Sequence, residues 1–330
     1  MLGNLGHGFV MYRCTKCHIS LPLIKDGDLT CQCGAIYPRL ESGGLDFLQG
    51  VEFSDFDLAA DDADQMNALE REFEGVASRI DDFIFPLIQR YVRASEKRIH
   101  GLAVLDCGCG NGLSVDILKD HGMEAWGIDS GRARHQQWRQ RQSGNYLVSA
   151  DALQIPFQDN SFDIVLSSGL IEHIGIYETQ GNRYCSYRLK NCESERIKFI
   201  HEMVRVLKTE GFILLDHPNG AFPADFWHGD RPGSIRWHWI YNDMLPRFGE
   251  IARYFRKADT SLKLLSLSPS KRLGFKKVGS NWYGRFFAPA MKTWLKSMEA
   301  RPFSFLARSF LNPYLVTIAT RQRYSWIYPY

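Results

Sequence analysis

The chain has 330 residues, 45% of them hydrophobic and 23% charged, with a net charge of +3. This is globular composition with ample apolar material for a core, enough for one large domain with an appendage or for two domains. No apolar run reaches the roughly 18 to 20 residues of a membrane-spanning helix. The opening MLGNLGHGFVMYRC also lacks the basic start and apolar stretch of a secretory signal, so a soluble, cytoplasmic protein is expected.

The first unit, residues 12 to about 50, has paired cysteines, many turn formers and too few apolar residues to fold alone. Of the 8 cysteines, Cys14, Cys17, Cys31 and Cys33 cluster here, Cys107 and Cys109 sit in a glycine loop, and Cys185 and Cys192 in a polar stretch. That distribution is unlike a secreted disulfide framework and like a cytosolic metal site. Cys14-x2-Cys17 with Cys31-x-Cys33 has the count and type for a tetrahedral zinc site, although the second spacer is one residue short. His18 is a substitute ligand should one cysteine be badly placed. An acidic linker with Glu52, Asp55, Asp57, Asp61, Asp62 and Asp64 follows and marks a boundary. From Met66 to Tyr91 the spacing of Phe73, Val76, Ile80 and Ile84 predicts a helix. Residues 51–100 thus form a linker and N-terminal helices.

After Gly101 short β-branched runs alternate with helical stretches: AVLD, SVDILKDHG, AWGID, a charged helix, YLVSAD, FDIVLSS, IKFIHEMVRVLK and FILLDH. Such alternation predicts an α/β fold with a parallel sheet covered on both faces. Ile200, Met203, Val204 and Leu207 mark the buried stripe of the last helix, and Gly211 is placed to end it. FKKVGSNWY and YLVTIAT are read as two further strands.

The segment Asp106-Cys-Gly108-Cys109-Gly110-Asn-Gly112 directly follows the strand AVLD and leads into a helix. Glycines let backbone approach a ligand, and the free N–H groups of a helix N-terminus suit an anion. The pattern alone equally describes nicotinamide or flavin binding. Asp129 ends the next strand about 20 residues on, where a carboxylate is placed to bind ribose hydroxyls. Asp151 follows the third strand and Asp163 begins the fourth, both expected at the crevice outside the sheet's carboxyl edge.

Residues 101–219 resemble the class I methyltransferases that use S-adenosylmethionine, particularly the type 11 group. The resemblance rests on VLDCGCGNG, GID, DALQIPFQDNSFDIVLSSGLIEH and HEMVRVLKTEGFILLDHPN, in the right order and spacing. Thr209 departs from the proline usual there. The resemblance implies a Rossmann-like seven-stranded sheet with an antiparallel last strand. It implies that Asp106, Gly108, Cys109, Gly110 and Gly112 hold the methionine part of the cofactor, and that Asp129 with Ser130 holds the ribose. Asp151, with Ala152 and Leu153, would hold the adenine, and Ser168 and Gly169 would line the methyl channel. The tail CGAIYPRLESGGLDFL resembles the zinc ribbon before some methyltransferase domains, including bacterial rRNA guanine methyltransferases; a degenerate ribbon without metal is the alternative.

A hydroxyl acceptor needs a base, and the candidates are Glu172 and His173, just past the fourth strand. His217, His228 and His238 are further options. In related O-methyltransferases of quinone synthesis a divalent metal sits near an E-H pair. Gly169 stands where a further acidic residue would be needed, so no metal is expected there.

Two substrate-covering insertions are expected, at about 217–245 and 284–312. The first, HPNGAFPADFWHGDRPGSIRWHWI, is rich in aromatics and histidine and suits a lid. In the second, Met291, Trp294, Leu295 and Met298 form one helical stripe, Lys292 and Lys296 lie elsewhere on the helix, and Pro302 breaks the pattern. From Ile251 onward there are 15 Lys and Arg against 2 Asp and Glu, so this C-terminal segment carries +13 and the rest −10. A basic segment of this kind suits an anionic partner or a membrane surface, or is simply a solvated face. The expected function is methyl transfer to oxygen of a small-molecule, glycan or lipid-linked acceptor. The alternatives are an RNA base methyltransferase, for which the N-P-P-Y motif of amino-group methylation is missing, and a non-catalytic cofactor-binding scaffold.

Overall fold

A computed structural model describes residues 10–24, 26–48, 50, 74–180, 184–229, 234–239, 243–273 and 282–322. Two short hairpins open the chain, β1 (Tyr12–Arg13) with β2 (Ser20–Leu21) and β3 (Leu29–Thr30) with β4 (Ile36–Tyr37), and each turn carries one cysteine pair. The unit borrows a core from its neighbour. The Arg13 N–H donates to Pro156 O (3.0 Å), and Tyr12 stacks on Phe157 with centroids 5.4 Å apart. Residues 45–47 then run along the edge of the main sheet, with the Phe47 N–H on Ser149 O (2.8 Å) and the Ser149 N–H on Leu45 O (3.0 Å). Gly44 permits this approach, since a Cβ there would stand 1.8 Å from the Leu147 carbonyl oxygen. The boundary placed in the acidic linker lies outside the described residues.

Helical backbone runs from residue 74, through a π-helical stretch Arg79–Ile84, into α1 (Phe85–Ser95). Ile80 and Ile84 are buried as their spacing predicts, and the start of the expected helix, with Phe73, lies outside the described residues. The helix passes Tyr91 and ends where Glu96 turns left-handed (φ 55°).

The α/β unit follows in order: β5 (Ala103–Cys107), α2 (Leu113–Asp120), β6 (Glu124–Asp129), α3 (Arg132–Trp138), β7 (Leu147–Ser149) and β8 (Phe162–Ser168). A hairpin of β9 (Ile176–Gln180) and β10 (Tyr184–Arg188) precedes α4 (Cys192–Val206) and β11 (Leu207–Pro218). Then come a small ribbon of β12 (Ala224–Asp225) and β13 (Arg236–Trp237), α5 (Phe248–Ala258) and β14 (Lys263–Leu267). The last elements are α6 (Trp282–Ser297), a 3-10 stretch Arg301–Arg308 and β15 (Tyr314–Thr320). Seven strands form one sheet in the order β14-β15-β11-β8-β5-β6-β7, with β15 antiparallel to both its neighbours. The central strands are buried along nearly their whole length, as apolar runs in a sheet covered on both faces must be. The chain enters at β5, winds outward to β7, and returns to β8 on the other side of β5. The switch point, where such sheets bind ligands, is therefore at the carboxyl ends of β5 and β8.

Three expectations need correction. The α4 helix ends at Val206, with Leu207 already extended, so Leu207 opens β11 and does not finish the helical stripe. Gly211 does not cap that helix; it lies in β11 beside a register shift, where a Cβ would stand 2.4 Å from the Asp163 carbonyl oxygen. The sixth strand is Lys263–Leu267, while FKKVGSNWY falls mostly outside the described residues and its Trp282 and Tyr283 begin α6. Among the described residues no helix is long and apolar enough to cross a membrane.

Candidate active site at the carboxyl edge of the sheet

Gly108, Gly110 and Gly112 all have positive φ (79°, 55° and 79°), the left-handed region that a side chain disfavours. At Gly112 a Cβ would also meet Leu147 Cδ1 at 2.4 Å. The loop is held from behind: the Trp138 Nε1–H donates to Gly110 O (2.8 Å) and the Arg141 Nε–H to Asn111 O (2.9 Å). Cys109 is buried against Gly127, where a Cβ would stand 2.7 Å from the Cys109 sulfur. Asp106 is buried behind the loop, accepting from the Ser114 hydroxyl (2.5 Å), with an Arg79 nitrogen 4.0 Å away. Burial raises its pKa, against the pull of Arg79 and Ser114.

Asp129 joins the first two loops. Its Oδ2 accepts from the Gly110 N–H and its Oδ1 from the Gly131 N–H, both at 2.8 Å, with Ser130 between. Burial raises its pKa to about 6, partly offset by those two N–H groups and by Arg134. Asp151 Oδ1 accepts from the Leu153 N–H (2.8 Å), and Asp151, Ala152 and Leu153 remain half-buried. Asp163 does not join them. It lies at the opposite edge, paired with Lys97 (2.7 Å) and Lys208 (2.8 Å), because it starts β8 where Asp129 ends β6.

Across the switch point, the loop after β8 abuts the glycine loop: a Cβ on Gly108 would meet Leu170 at 3.2 Å. Ser168 Oγ donates to Asp216 Oδ2 (2.6 Å), and the Gly169 N–H to Asp216 O (2.9 Å). Glu172 is 1% exposed, and its Oε2 has no hydrogen-bond partner among the described residues. The partly exposed His173 has its Nδ1 2.9 Å from Glu178. Burial would raise the Glu178 pKa, but His173 and Tyr184 hold it below the usual carboxylate range.

Comparison with known proteins agrees with this arrangement. Residues 105–215 match the type 11 family described as a methyltransferase domain. Residues 105–215 thus form a methyltransferase domain. An uncharacterized protein of Methanocaldococcus jannaschii is 27% identical over 135 residues, 41% of this chain and 48% of its own. Phthiotriol/phenolphthiotriol dimycocerosates methyltransferase 1 of Mycobacterium ulcerans is 27% identical over 145 residues, 43% of this chain and 46% of its own. The chain thus spans about half the length of these curated relatives. A solved S-adenosylmethionine dependent methyltransferase from Mesorhizobium loti superposes with a TM-score of 0.38 at 14% identity, covering 69% of this chain and 94% of that one.

The residues that surround the methyltransferase domain's crevice came less readily from sequence. Asp216, at the end of β11, also accepts from Arg272 Nε (3.0 Å) and the Tyr314 hydroxyl (2.5 Å). Burial alone would raise its pKa, and Arg272 and Arg79 reverse the direction. These partners lie 56 and 98 residues away in sequence, so no local pattern announces them. The expected lid segment brings His228 over the loop after β8, its ring 5.1 Å from that of His173. His228 Nδ1 lies 2.8 Å from Asp225, which Arg236 also grips (2.8 Å) while holding Asp243 (2.6 Å). His217 is fully buried, with Nδ1 2.8 Å from Pro218 O and a pKa that burial lowers. His238 Nδ1 stands 3.7 Å from Asp243. Neither His217 nor His238 joins His173 and His228.

At the N-terminus the sulfurs of Cys14, Cys17, Cys31 and Cys33 all lie within 4.8 Å of one another, with Cys14–Cys33 at 3.6 Å and Cys17–Cys31 at 3.5 Å. Four thiolates about 2.3 Å from one zinc stand roughly 3.8 Å apart, so the donor set fits that ion. The shortened Cys31-x-Cys33 spacer still brings both sulfurs in, and His18 is not part of the cluster.

Proposed function

We propose that the chain transfers the methyl group of S-adenosylmethionine to an oxygen of a small-molecule, glycan or lipid-linked acceptor. What carries this reading is the meeting, at one switch point, of the glycine loop tied to Asp129 with the Glu172–His173 pair beyond Ser168 and Gly169. The N–H groups of Gly108, Cys109, Gly110 and Gly112 are already engaged within the protein, so the glycine loop would receive the methionine part of the cofactor in the space its missing side chains leave. Asp129, whose oxygens each already accept one N–H, keeps acceptor capacity for the ribose hydroxyls. Asp151 would take the adenine amino group, with Ala152 and Leu153 beside the ring.

The reaction breaks the S–CH3 bond, forms O–CH3 and releases S-adenosylhomocysteine. Alignment of the acceptor oxygen with that bond can supply about 7 to 11 kcal/mol. The acceptor hydroxyl also loses its proton, and Glu172 and His173 are the groups placed to promote that loss, with Glu178 behind His173.

The exposed aromatics favour an amphiphilic acceptor. On the lid segment Trp237 and Trp239 are 73% and 78% exposed, and beyond α6 Phe303, Phe305 and Phe310 face solvent within the basic C-terminal segment. The Met291–Met298 stripe itself is spent on its own domain, since Leu295 and Met298 are buried with Ala307. Cys14, Cys17, Cys31 and Cys33 would hold a structural zinc that fixes the two hairpins against the sheet edge. The experiment that tests the function is calorimetric titration with S-adenosylhomocysteine against an NADH control, followed by an acceptor screen with labelled methyl groups. Binding of the first alone is expected; NADH binding, or neither, sinks the proposal. Metal analysis should find zinc in wild-type protein and its loss in Cys31→Ser.

A further inference from the structure

We propose that Glu172, His173 and His228 form a divalent-cation site at the acceptor end of the crevice. The proposal rests on the methyl-transfer reading above and states how its Glu172–His173 pair works. One ligand atom from each of the three side chains lies within 4.8 Å of the other two. Three ligands about 2.1 Å from one ion stand roughly 3.0 to 3.6 Å from one another, so closing the site needs side-chain shifts of about 1 Å or less.

The surroundings are those of ligands already oriented. A carboxylate can only accept, so the proton on each ring sits at Nδ1, shared with Glu178 in His173 (2.9 Å) and with Asp225 in His228 (2.8 Å). With that proton at Nδ1, the donor atom each ring can offer to a cation is Nε2. A carboxylate behind a histidine is the arrangement that fixes the tautomer and ring of a metal ligand. Each of those carboxylates is anchored in turn, Glu178 by the Tyr184 hydroxyl and Asp225 by Arg236. Glu172 supplies the third donor. A carboxylate that is 1% exposed, with Oε2 unpartnered among the described residues, is costly to bury unless something compensates it. A cation at this point does so.

Two histidines and one carboxylate leave coordination positions open, which suits a first-row divalent ion bound alongside an acceptor oxygen. Gly169 stands where an acidic ligand would otherwise be expected. The missing ligand comes instead from His228, 55 residues beyond His173 in the chain and carried by the lid segment. The site would thus be complete only with that segment in place. A bound cation lowers the pKa of the acceptor hydroxyl. Its proton then leaves to solvent, and the oxygen takes the methyl as the S–CH3 bond breaks.

The test titrates cobalt(II) into the metal-free 330-residue wild type and into His228→Ala, Glu172→Gln and Glu178→Gln. Thiolate charge transfer reports the cysteine cluster, and a second equivalent with ligand-field bands alone reports this site. Wild type should take both. His228→Ala and Glu172→Gln should weaken the second at least about tenfold and leave the first; Glu178→Gln should weaken it roughly 10- to 100-fold, as loss of a supporting carboxylate does. One equivalent in wild type, or an unchanged second equivalent in His228→Ala and Glu172→Gln, overturns the site. Calorimetry with S-adenosylhomocysteine on the same samples separates the two claims. Cofactor binding with a single cobalt equivalent removes only the metal, whereas its loss removes the methyltransferase reading.

Discussion

The two halves of the crevice are built by different means. On the β5–β7 side the backbone does the work: three loop glycines with positive φ, and N–H groups closing on Asp129 within a few ångströms of their own strands. On the β8–β15 side the work falls to side chains that meet from far apart: Asp216 with Arg272 and Tyr314, His173 with His228, Asp225 with Arg236. The first construction suits a ligand that never changes. The second can be rebuilt residue by residue around a different acceptor while the sheet stays as it is. Substitutions in the two halves should therefore fail differently, the first in cofactor affinity and the second in turnover.

The sharpest contrast should come from His173→Ala. Turnover should fall by about 10²- to 10⁴-fold, the usual worth of a positioned group that handles a proton, while S-adenosylhomocysteine affinity stays within twofold of wild type. Single-turnover assay beside calorimetry reads both numbers. A parallel fall in both would erase the division between halves.

Next is Arg272→Met, which removes from the buried Asp216 carboxylate the cation that hydrogen-bonds it. Removing one partner of a buried pair costs about 3–5 kcal/mol, and denaturant unfolding should show a loss of that order. A loss below about 1 kcal/mol would mean that Ser168, Tyr314 and Arg79 suffice for Asp216, and that Arg272 is there for the acceptor.

Asp129→Ala probes the other half. It removes an acceptor for the ribose and unties Gly110 from Gly131. With charge-assisted hydrogen bonds at about 1.5–3 kcal/mol each, affinity for S-adenosylhomocysteine should drop by about 100-fold or more. Unchanged affinity would remove Asp129 from the ribose.

This division also explains what could be read in advance. The glycine loop, Asp129 and Asp151 sit at fixed distances from short apolar strands, so one stretch of sequence contains both the element and its site residue. The seven-stranded sheet was legible for the same reason, except at β14, whose KLLSL is too short to stand out, and at Gly211, where close approach to Asp163 imitates a helix stop. Asp163 was misplaced because a carboxylate beside a strand looks alike at either end, and only the direction of β8 sends it to Lys97 and Lys208. Arg272, Tyr314 and the pairing of His228 with His173 had no local signal, since each depends on how β15 and the lid segment return to the sheet edge. The N-terminal unit lies between these cases. Its cysteines were legible, but its dependence on Phe157 and Ser149 for a core was not.

The smallest expected effect is one of pH, and it tests whether the backbone-built half is as self-contained as its geometry implies. Burial places Asp129 at about 6, near Asp106, Cys109, Arg134 and His135, whose Nε2 is 3.2 Å from the Asp129 carbonyl. Ribose hydroxyls donate to the ionised form, so binding favours it and lowers its pKa in the complex. Affinity should be flat above about pH 7 and fall as pH drops through 6; one proton with that free-state pKa gives about a fourfold loss between pH 7.5 and 5.5. Asp129→Asn keeps the shape of the group but cannot titrate, and its weaker affinity should be level over the same range. A slope that survives in Asp129→Asn would assign the proton to His135 or to the acceptor side, and would show the two halves to be electrostatically coupled across the switch point.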